Sequence, residues 1–393
     1  MNLTSGFKPC VAIACGGTGG HLFPGLAVAH ELVQHGCDVT LLISPKEVDQ
    51  EAIKALKNLD VHTLPAVGLT RGSLLAFSRG FRESYRSANR LFKARPPQAV
   101  LAMGGFTSAP PVLAAKRFKA HAFLHESNII PGRANRLLSW IINRAFVGFP
   151  SAAKRLHTRE VIVTGTPVRP QFHRRDPAEC RAALGLDPVR PVVLAMGGSQ
   201  GASAINQLVI QSLPLFSRLA PTVQWFHLTG PNDAAEVTTA YAAVGLRAVV
   251  HPFFSKMELG LGAATVAVSR AGASSLAELA AMRVPSVLIP YPAATDNHQL
   301  YNARAFEETG AARVLEQRVA SPEKLTQMLL ELLDCNAAGA KMQTALKQWD
   351  APRAAQQIAE AILQSLPAPF SAILCREDLA HSPGLPGHHS AIA

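Results

Sequence analysis

The chain has 393 residues, 48% of them hydrophobic and 17% charged, a balance typical of a folded globular protein rather than a disordered one. No apolar run reaches the roughly 18 residues that a membrane-spanning helix needs, and the polar residues 1–9 are unlike a signal peptide. Residues 1–160 hold 20 Lys and Arg against 9 Asp and Glu, whereas residues 161–393 hold 18 of each. This one-sided charge predicts an acidic partner for the first part: nucleic acid, an anionic membrane surface or a phosphorylated substrate.

In the first part of the chain, apolar runs typical of buried strands alternate with segments of helical periodicity. The runs lie at 11–15, 39–43, 99–103 and 122–124. Between the first two, Pro24 stands where a helix can begin, and Gly36 marks its end. Short connections between such elements predict a parallel sheet of right-handed βαβ units. The second part repeats the pattern with runs at 192–196, 223–228, 248–250, 265–269 and 286–289.

The composition also divides the chain. Residues 163–191 are rich in Pro, Arg and Asp, as interdomain linkers are. We predict an N-terminal domain over 1–165 and a C-terminal domain over 166–350. An amphipathic closing helix at about 351–366 packs back on the first domain, and the tail 367–393 has the composition of a disordered segment. The six cysteines lack CxxC or zinc-finger spacing, which predicts thiols in a reducing cytoplasm.

A double-glycine turn follows the first strand of each half, at 16–17 and at 197–198. The first turn does not fit the dinucleotide fingerprint, because Leu22 stands where the third glycine would be, and no Walker lysine follows either turn. The remaining prediction is a loop whose backbone N–H groups face a pyrophosphate. His21, at the rim of the first loop, carries an imidazole suited to a general base, with helix capping as the alternative.

Two later segments carry polar groups at the ends of predicted strands. In 269–278, small residues open a helix whose amides would hold a diphosphate, and Glu278 could accept both hydroxyls of a ribose. The alternative is that Glu278 is a surface charge that stabilises the helix dipole. In 290–303, the run from Asp296 to Gln299 is suited to sugar hydroxyls, whereas a polar helix start would explain only Asp296.

The chain contains no Asp-x-Asp pair, so we predict no bound metal and no cofactor at a sugar-nucleotide diphosphate. The charge of a departing diphosphate would then be stabilised by amides, a helix dipole and Arg169.

Taken together, these segments resemble the MurG family of UDP-N-acetylglucosamine transferases. The ordered motifs are GGTGGH (16–21), MGGFTSAP (103–110), HESN (125–128), TGTPVR (164–169), GGSQGA (197–202), SRAGASSLAE (269–278) and TDNHQLYNA (295–303). The resemblance covers most of 8–365. It implies a GT-B fold, with two Rossmann-like doubly wound parallel-sheet domains facing across a cleft.

The same resemblance implies an inverting transfer of GlcNAc from UDP-GlcNAc to the C4 hydroxyl of MurNAc in undecaprenyl-pyrophosphoryl-MurNAc-pentapeptide (lipid I). The product would be lipid II, made for peptidoglycan by a peripheral protein on the cytoplasmic face of the bacterial plasma membrane.

The resemblance also implies roles for particular residues. Glu278 would bind the ribose, backbone near Phe254 the uracil, and Gln299 with His298 the GlcNAc hydroxyls. Further donor contacts would come from Thr18, Gly19, Gly20, Asn128, Arg169, Ser199, Gln200, Ala273, Ser274, Ser275, Leu276 and Ala277. The acceptor pyrophosphate would lie on Gly16, Gly17, Gly104 and Gly105, and His21 matches the family's candidate base. The chain departs from the family at Ser127, where Gln is frequent, and at Thr166, where Asn is frequent.

Other functions are compatible with parts of this pattern. A UDP-GlcNAc epimerase or a diacylglycerol glycosyltransferase could use a similar scaffold, although an epimerase has no use for a basic, membrane-facing half. A nucleic-acid-binding protein would fit the charge, but aromatic residues are only 6% of the chain and no known nucleic-acid motif is present. Within 74–95, basic residues recur every three or four positions, which predicts a helical stripe that docks on an anionic membrane: Arg79, Arg82, Arg86, Arg90 and Lys93. The alternative is a solvated surface helix whose apolar residues pack inward.

Overall fold

The computed structural model describes residues 8–46, 59–65, 74–198, 201–333 and 338–367. Two parallel sheets organise this part of the chain. The first has seven strands in the order β3-β2-β1-β4-β5-β6-β7, and the second has six in the order β10-β9-β8-β11-β12-β13. In each sheet the first strand of the domain is an interior strand, and the strand order reverses beside it, as in a doubly wound fold. The predicted α/β class with two Rossmann-like domains is confirmed.

The strands of the first sheet are β1 Cys10–Ala14, β2 Asp38–Ile43, β3 Asp60–Thr63, β4 Ala99–Ala102, β5 His121–Glu126, β6 Arg144–Val147 and β7 Val161–Val163. Those of the second sheet are β8 Val192–Met196, β9 Gln224–Leu228, β10 Ala248–His251, β11 Val266–Ser269, β12 Ser286–Leu288 and β13 Arg313–Val314.

The first sheet is flanked by α1 Gly19–Gln34, α2 Leu74–Ala94, α3 Ala109–Arg117, α4 Arg133–Leu138 and, from the end of the chain, α13 Ala354–Gln364. The rest of the chain contains α5 Pro177–Ala183, α6 Ser203–Leu219, α7 Ala234–Ala243, α8 Met257–Ala263, α9 Ala273–Met282, α10 His298–Glu308, α11 Pro322–Leu333 and α12 Ala338–Ala345. Short 3₁₀ turns lie at Pro150–Arg155, Thr295–Asn297, Gln317–Val319 and Leu346–Trp349. None of the described helices combines the length and the apolarity needed to cross a membrane.

Strand β1 shows why the sequence favours this layering. Its side chains point alternately to the two faces of the sheet. Val11 and Ile13 enter a core with α1 and α13, while Ala12 and Ala14 enter a second core with α2 and α3. Because both faces are covered, the strand reads as a continuous apolar run, which is why its position could be predicted.

Nine strands were predicted in nearly the observed places, and four were missed. The missed strands are β3, β6, β7 and β13, which have two to four residues each. Strand β3 is an edge strand with only partly buried or exposed residues, and β7 and β13 likewise contain no fully buried residue. Strands β3 and β13 lack the apolar run on which sequence prediction depends, whereas β6 and β7 each contain three consecutive apolar residues that were overlooked.

The predicted start of α1 at Pro24 is wrong, because the helix begins at Gly19 and Pro24 lies inside it. A proline cannot donate to the carbonyl four residues earlier, here that of Gly20. That carbonyl instead accepts a hydrogen bond from Ser274 Oγ of the second domain, at 3.0 Å. The proline therefore leaves a helix carbonyl available for an interdomain contact.

The end of the described chain returns to the first domain. Ile358 and Ile362 of α13 are fully buried in the same core as Ile13 and Leu32. The return passes close to Gly165, where a Cβ would lie 2.3 Å from that of Ala351 and where φ is +81°. We propose to place the domain boundary between β7 and β8, with α13 assigned to the first domain. The tail beyond residue 367, predicted to be disordered, lies outside the described residues.

Candidate functional site

A cleft of about 1460 Å³ separates the two sheets and is lined by residues of both domains. Ligands of parallel sheets bind beyond the carboxyl ends of the strands. The cleft is lined by residues that follow the ends of β1, β5, β8 and β11, and the helices α1 and α9 begin there. These two helix starts touch through the hydrogen bond between Ser274 and Gly20.

The first glycine loop is held by close backbone packing. A Cβ on Gly16 would lie 2.3 Å from the backbone nitrogen of Ser44, and Gly17 has a φ of +112°. Thr107 Oγ1 donates to the Gly16 carbonyl at 2.6 Å. Of the predicted contacts in this loop, Thr18, Gly19 and Gly20 line the cleft, while Gly16 and Gly17 line a smaller cavity beside it.

His21 stands in the first turn of α1 and lines both the cleft and the smaller cavity. Its Nδ1 lies 3.3 Å from Thr18 Oγ1, within hydrogen-bond distance. The second glycine pair packs against its ring, because a Cβ on Gly104 would lie 2.8 Å from His21 Nε2 and one on Gly105 would lie 3.3 Å from the ring. Gly105 lines both cavities, whereas Gly104 lines neither. Gly104 makes room for the imidazole, and the predicted pyrophosphate contact at this glycine stays a prediction.

The HESN segment at the end of β5 contains two buried ionisable groups. His125 is fully buried, its Nε2 lies 3.0 Å from the Gly165 carbonyl, and burial lowers its pKa to about 4. It is neutral at pH 7 and connects β5 to the segment after β7. Ser127, one of the two departures from the family, lies with its Oγ 3.3 Å from His125 Nδ1.

Glu126 lines the cleft and was missed by the sequence analysis. Its carboxylate accepts hydrogen bonds from the backbone N–H groups of Asn128 and Gly132 and from the amides of Asn128 and Asn135, at 2.8 to 3.2 Å. Burial raises the pKa of this carboxyl, and the four donors oppose that shift. Glu126 thus fixes the loop that carries Asn128. Glu126 stands at the carboxyl end of a predicted parallel strand, and this position is the sequence signal that could have placed it at the site.

Asn302, also missed, joins the two domains. This fully buried residue of α10 donates from Nδ2 to Asn128 Oδ1 at 3.0 Å and to the Ala271 carbonyl at 3.2 Å. Its Oδ1 accepts from the backbone N–H of Ile129 at 3.0 Å. The Asn302 side chain therefore fixes Asn128 relative to the start of α9. The sequence signal for Asn302 was a polar residue on a helix face that is buried.

Arg169 and Glu278 form a partly buried ion pair in the cleft, with Nη2 and Oε1 3.7 Å apart. The guanidinium lies 4.3 Å from the ring centre of Phe23 in α1 and 4.8 Å from that of Phe172, within range of a cation–π interaction. Burial raises the pKa of Glu278 to about 7, Arg169 lowers it, and Glu258 adds a smaller upward contribution. The structure therefore brings together two residues that the sequence analysis placed at the donor.

Helix α9 contributes the other predicted diphosphate contacts. Ala273, Ser274 and Ser275 line the cleft. Leu276 and Ala277 do not, because Leu276 is buried in the hydrophobic core and its N–H already donates to the Gly272 carbonyl at 3.0 Å. The first three residues of the helix thus lie at the cleft with N–H groups that have no acceptor within the helix, and the diphosphate contact stays a prediction.

The segment 295–299 leads into the first turn of α10 at the cleft. His298 and Gln299 line the cleft, and Gln299 Oε1 accepts from the Tyr291 N–H at 3.0 Å. Asp296 was expected to face sugar hydroxyls, but its carboxylate pairs with Arg136 at 2.9 Å and lies 3.8 Å from Arg133, both in α4. Asp296 also lines the cleft, so it is an interdomain contact and its predicted contact with sugar hydroxyls stays a prediction.

Phe254 lines the cleft and stacks on His251 at 5.4 Å, consistent with a flat surface for a base. Ser199 and Gln200 lie outside the described residues. Within the part of the chain that the structure describes, no three His, Cys, Asp or Glu side chains are grouped so that they could hold a metal ion.

Comparison with known proteins identifies this architecture. The glycosyltransferase family 28 N-terminal domain matches residues 11–147, and the family 28 C-terminal domain matches residues 192–358. A UDP-N-acetylglucosamine--N-acetylmuramyl-(pentapeptide) pyrophosphoryl-undecaprenol N-acetylglucosamine transferase of Desulforudis audaxviator is 37% identical over 90% of this chain and 97% of its own. The protein of the same name from Anaeromyxobacter sp. (strain K) is 35% identical over 90% and 92%. The chain belongs to the MurG family.

Solved structures agree with this assignment. The crystal structure of Acinetobacter baumannii MurG superimposes with a TM-score of 0.70 at 28% identity, covering 90% of this chain and 99% of that one. A UDP-N-acetylglucosamine 2-epimerase superimposes with a TM-score of 0.69 at 14% identity, covering 98% and 99%. The second likeness concerns the fold alone. The MurG family relationship thus makes the chain a UDP-sugar glycosyltransferase with the predicted GT-B fold.

Proposed function

We propose that the chain transfers GlcNAc from UDP-GlcNAc to the C4 hydroxyl of MurNAc in undecaprenyl-pyrophosphoryl-MurNAc-pentapeptide, with inversion at the anomeric carbon, to give lipid II and UDP. The hydrogen bond between Ser274 and Gly20 carries this proposal, because it brings the proposed donor-side helix start to the first glycine loop. The names of the MurG relatives describe this substrate pair.

The donor lies on the second domain in this proposal. The Glu278 carboxylate accepts hydrogen bonds from the ribose hydroxyls, and the first N–H groups of α9 stabilise the diphosphate. Arg169, held against Phe23, adds positive charge as UDP departs. Asn128 and Gln299 face the sugar from opposite domains, and Phe254 borders the uracil.

The acceptor lies on the first domain. Gly17 and Gly105 border its pyrophosphate, and its C4 hydroxyl points at the anomeric carbon from the face opposite UDP. His21 accepts the hydroxyl proton or orients the hydroxyl, since it lines the cleft next to both loops. One displacement then breaks the bond to UDP and forms the new glycosidic bond, which inverts the sugar from α to β.

The decisive test incubates the purified chain with UDP-GlcNAc and a lipid I analogue. The expected product is a β-1,4-linked disaccharide on the lipid pyrophosphate, with one UDP released per sugar transferred. Analysis without the acceptor separates this proposal from an epimerase. If the free UDP-sugar changed its configuration and no disaccharide formed with the acceptor, the proposal would be wrong.

We expect the transfer to be independent of a divalent metal. The sequence has no Asp-x-Asp pair, and the described residues include no group of three His, Cys, Asp or Glu side chains placed to hold a metal ion. In this proposal backbone amides and Arg169 stabilise the diphosphate instead. Turnover should therefore be unchanged in excess EDTA. Activity that is abolished by EDTA and restored by Mg²⁺ would contradict this account of leaving-group stabilisation.

We further propose that α2 docks the chain peripherally on the cytoplasmic, anionic face of the bacterial plasma membrane. Arg79, Arg82, Arg86, Arg90 and Lys93 are all exposed on this helix. Leu75, near its start, is 88% exposed. The opposite face packs inward through Ala88 and Phe92. Each Lys or Arg near an anionic leaflet contributes about 1 kcal/mol of binding, which salt screens.

Changing Arg82, Arg86 and Arg90 together to Glu should release the chain from anionic vesicles and impair turnover of full-length lipid I. Turnover of a short-chain soluble acceptor should be nearly unchanged, because the helix stripe does not line the cleft. Vesicle co-sedimentation and both rates measure this. A matched control changes the exposed Lys324, Lys341 and Lys347 of the second domain to Glu. Equal release by both triple variants, or release by neither, would refute the stripe as the docking surface.

A further inference from the structure

A smaller cavity of about 180 Å³ lies beside the cleft, between the first glycine loop and α2. It shares Thr18, His21, Gly105 and Phe106 with the cleft, so the two spaces adjoin at the proposed acceptor site. Neither the proposed donor nor the MurNAc sugar accounts for it.

The inner wall of this cavity is apolar and aromatic. Phe77 and Phe81 of α2 line it together with Phe106. The rings of Phe77 and Phe106 meet edge to face at 5.7 Å, and those of Phe77 and Phe81 are 6.1 Å apart. Gly80, which lies one helical turn after Phe77 and also lines the cavity, has no side chain to fill the space between these rings. Such a wall suits a hydrocarbon, because the three phenyl rings offer no hydrogen-bond partner to the hydroxyls of a sugar or the amides of a peptide.

The side toward the glycine loop is polar. Lys46 lines the cavity, and its Nζ donates to the Gly17 carbonyl at 2.9 Å, which places a positive charge beside the loop. The Ser84 hydroxyl is buried at the wall and finds no hydrogen-bond partner among the described residues. A buried hydroxyl of this kind is expected to have water or a ligand next to it. The cavity thus places the positive charge of Lys46 beside the proposed pyrophosphate and the phenylalanine rings beside the hydrocarbon that follows it.

We propose that this cavity holds the first isoprene unit of the lipid acceptor, directly after its pyrophosphate. The inference rests on the proposed function. Its size fits, because an apolar cavity of about 150 Å³ is known to bind benzene, a ligand of six carbons, and an isoprene unit has five. The rest of the prenyl chain leaves the cavity along α2, whose exposed Leu75 and arginines face the proposed membrane surface. One helix then contacts the lipid with its inner face and the bilayer with its outer face.

The test compares soluble acceptors whose pyrophosphate carries a methyl, a five-carbon prenyl or a ten-carbon prenyl chain. The acceptor KM of the wild type should fall at least about tenfold from the methyl to the five-carbon chain, since burial of each added carbon stabilises the complex. Lengthening to ten carbons should lower the KM less, because the cavity holds only the first isoprene unit. Gly80→Leu fills the cavity and should remove this preference while the UDP-GlcNAc KM stays unchanged. Ser78→Leu places the same side chain on an exposed position of α2 and should behave as wild type.

If the enzyme is active and the acceptor KM is the same for all three chains, the inference is overturned and the proposed function stands. If no acceptor is turned over, the proposed function falls, and calorimetry with geranyl pyrophosphate against inorganic pyrophosphate tests the cavity alone. Equal affinity of the wild type for these two probes would overturn the inference. Should Gly80→Leu fail to fold by circular dichroism, Phe77→Ala takes its place, with the same loss of chain preference expected.

Discussion

His21→Ala is expected to lower kcat by about 10²- to 10⁴-fold, the usual contribution of a positioned general base. The donor KM should change little, because the ribose and diphosphate contacts come from α9 and Arg169. The imidazole is fixed at the cleft, since its Nδ1 lies 3.3 Å from Thr18 Oγ1 and its ring packs on Gly104 and Gly105. Steady-state kinetics with a soluble lipid I analogue measure both parameters.

Two further variants sharpen this prediction. His30→Ala makes the same change at an exposed position of the same helix and should leave kcat unaltered. His21→Gln keeps a hydrogen-bonding side chain without a basic nitrogen. If His21 acts as the base, the glutamine variant is as slow as the alanine variant, whereas recovery of rate by glutamine assigns it an orienting role. An alanine variant that retained more than about a third of kcat would remove His21 from the mechanism.

Glu278→Ala is expected to raise the donor KM by about 10- to 150-fold, corresponding to the loss of a charged hydrogen-bonding group worth about 1.5 to 3 kcal/mol. The change also leaves the Arg169 guanidinium without its carboxylate partner in the cleft. The acceptor KM should be nearly unchanged. Glu236→Ala, on α7, is the control, since Glu236 pairs with Gln207 outside the cleft. Equal UDP affinity of wild type and Glu278→Ala would rule out the ribose contact.

The pH dependence of donor binding gives a second measure of the same residue. Burial raises the pKa of Glu278 to about 7, so the carboxyl is mostly protonated near pH 6 and mostly ionised near pH 8. Ribose hydroxyls donate to the ionised form, and the donor Kd should therefore fall as pH rises through about 7. In Glu278→Gln this dependence should disappear. The folded state also holds this proton more tightly than the unfolded chain does. The free energy of unfolding should therefore fall as the pH rises from about 4.5, the ordinary pKa of a glutamate, to about 7.

The sequence by itself determined the layout of the two domains. Strand β8 was predicted at its observed bounds, because both faces of the second sheet are covered and the strand is apolar throughout. The glycine turns, the helix start at Ala273 and the place of Glu278 on that helix follow from local rules of the same kind. Each depends on residues within one or two turns of each other, and local sequence records such relations directly.

Only the tertiary structure decided which polar groups meet. Asn302 bonds Asn128 across 174 positions of the chain, and Ser274 bonds Gly20 across 254. Asp296 pairs with Arg136 of the other domain, a contact that no local pattern indicated. Gly104 is a glycine because His21 packs on it, and Pro24 is tolerated where a serine of the second domain uses the carbonyl it leaves. A side chain's hydrogen-bonding capacity is visible in the sequence, but its partner is set by how the two domains approach each other, and no local pattern encodes that approach.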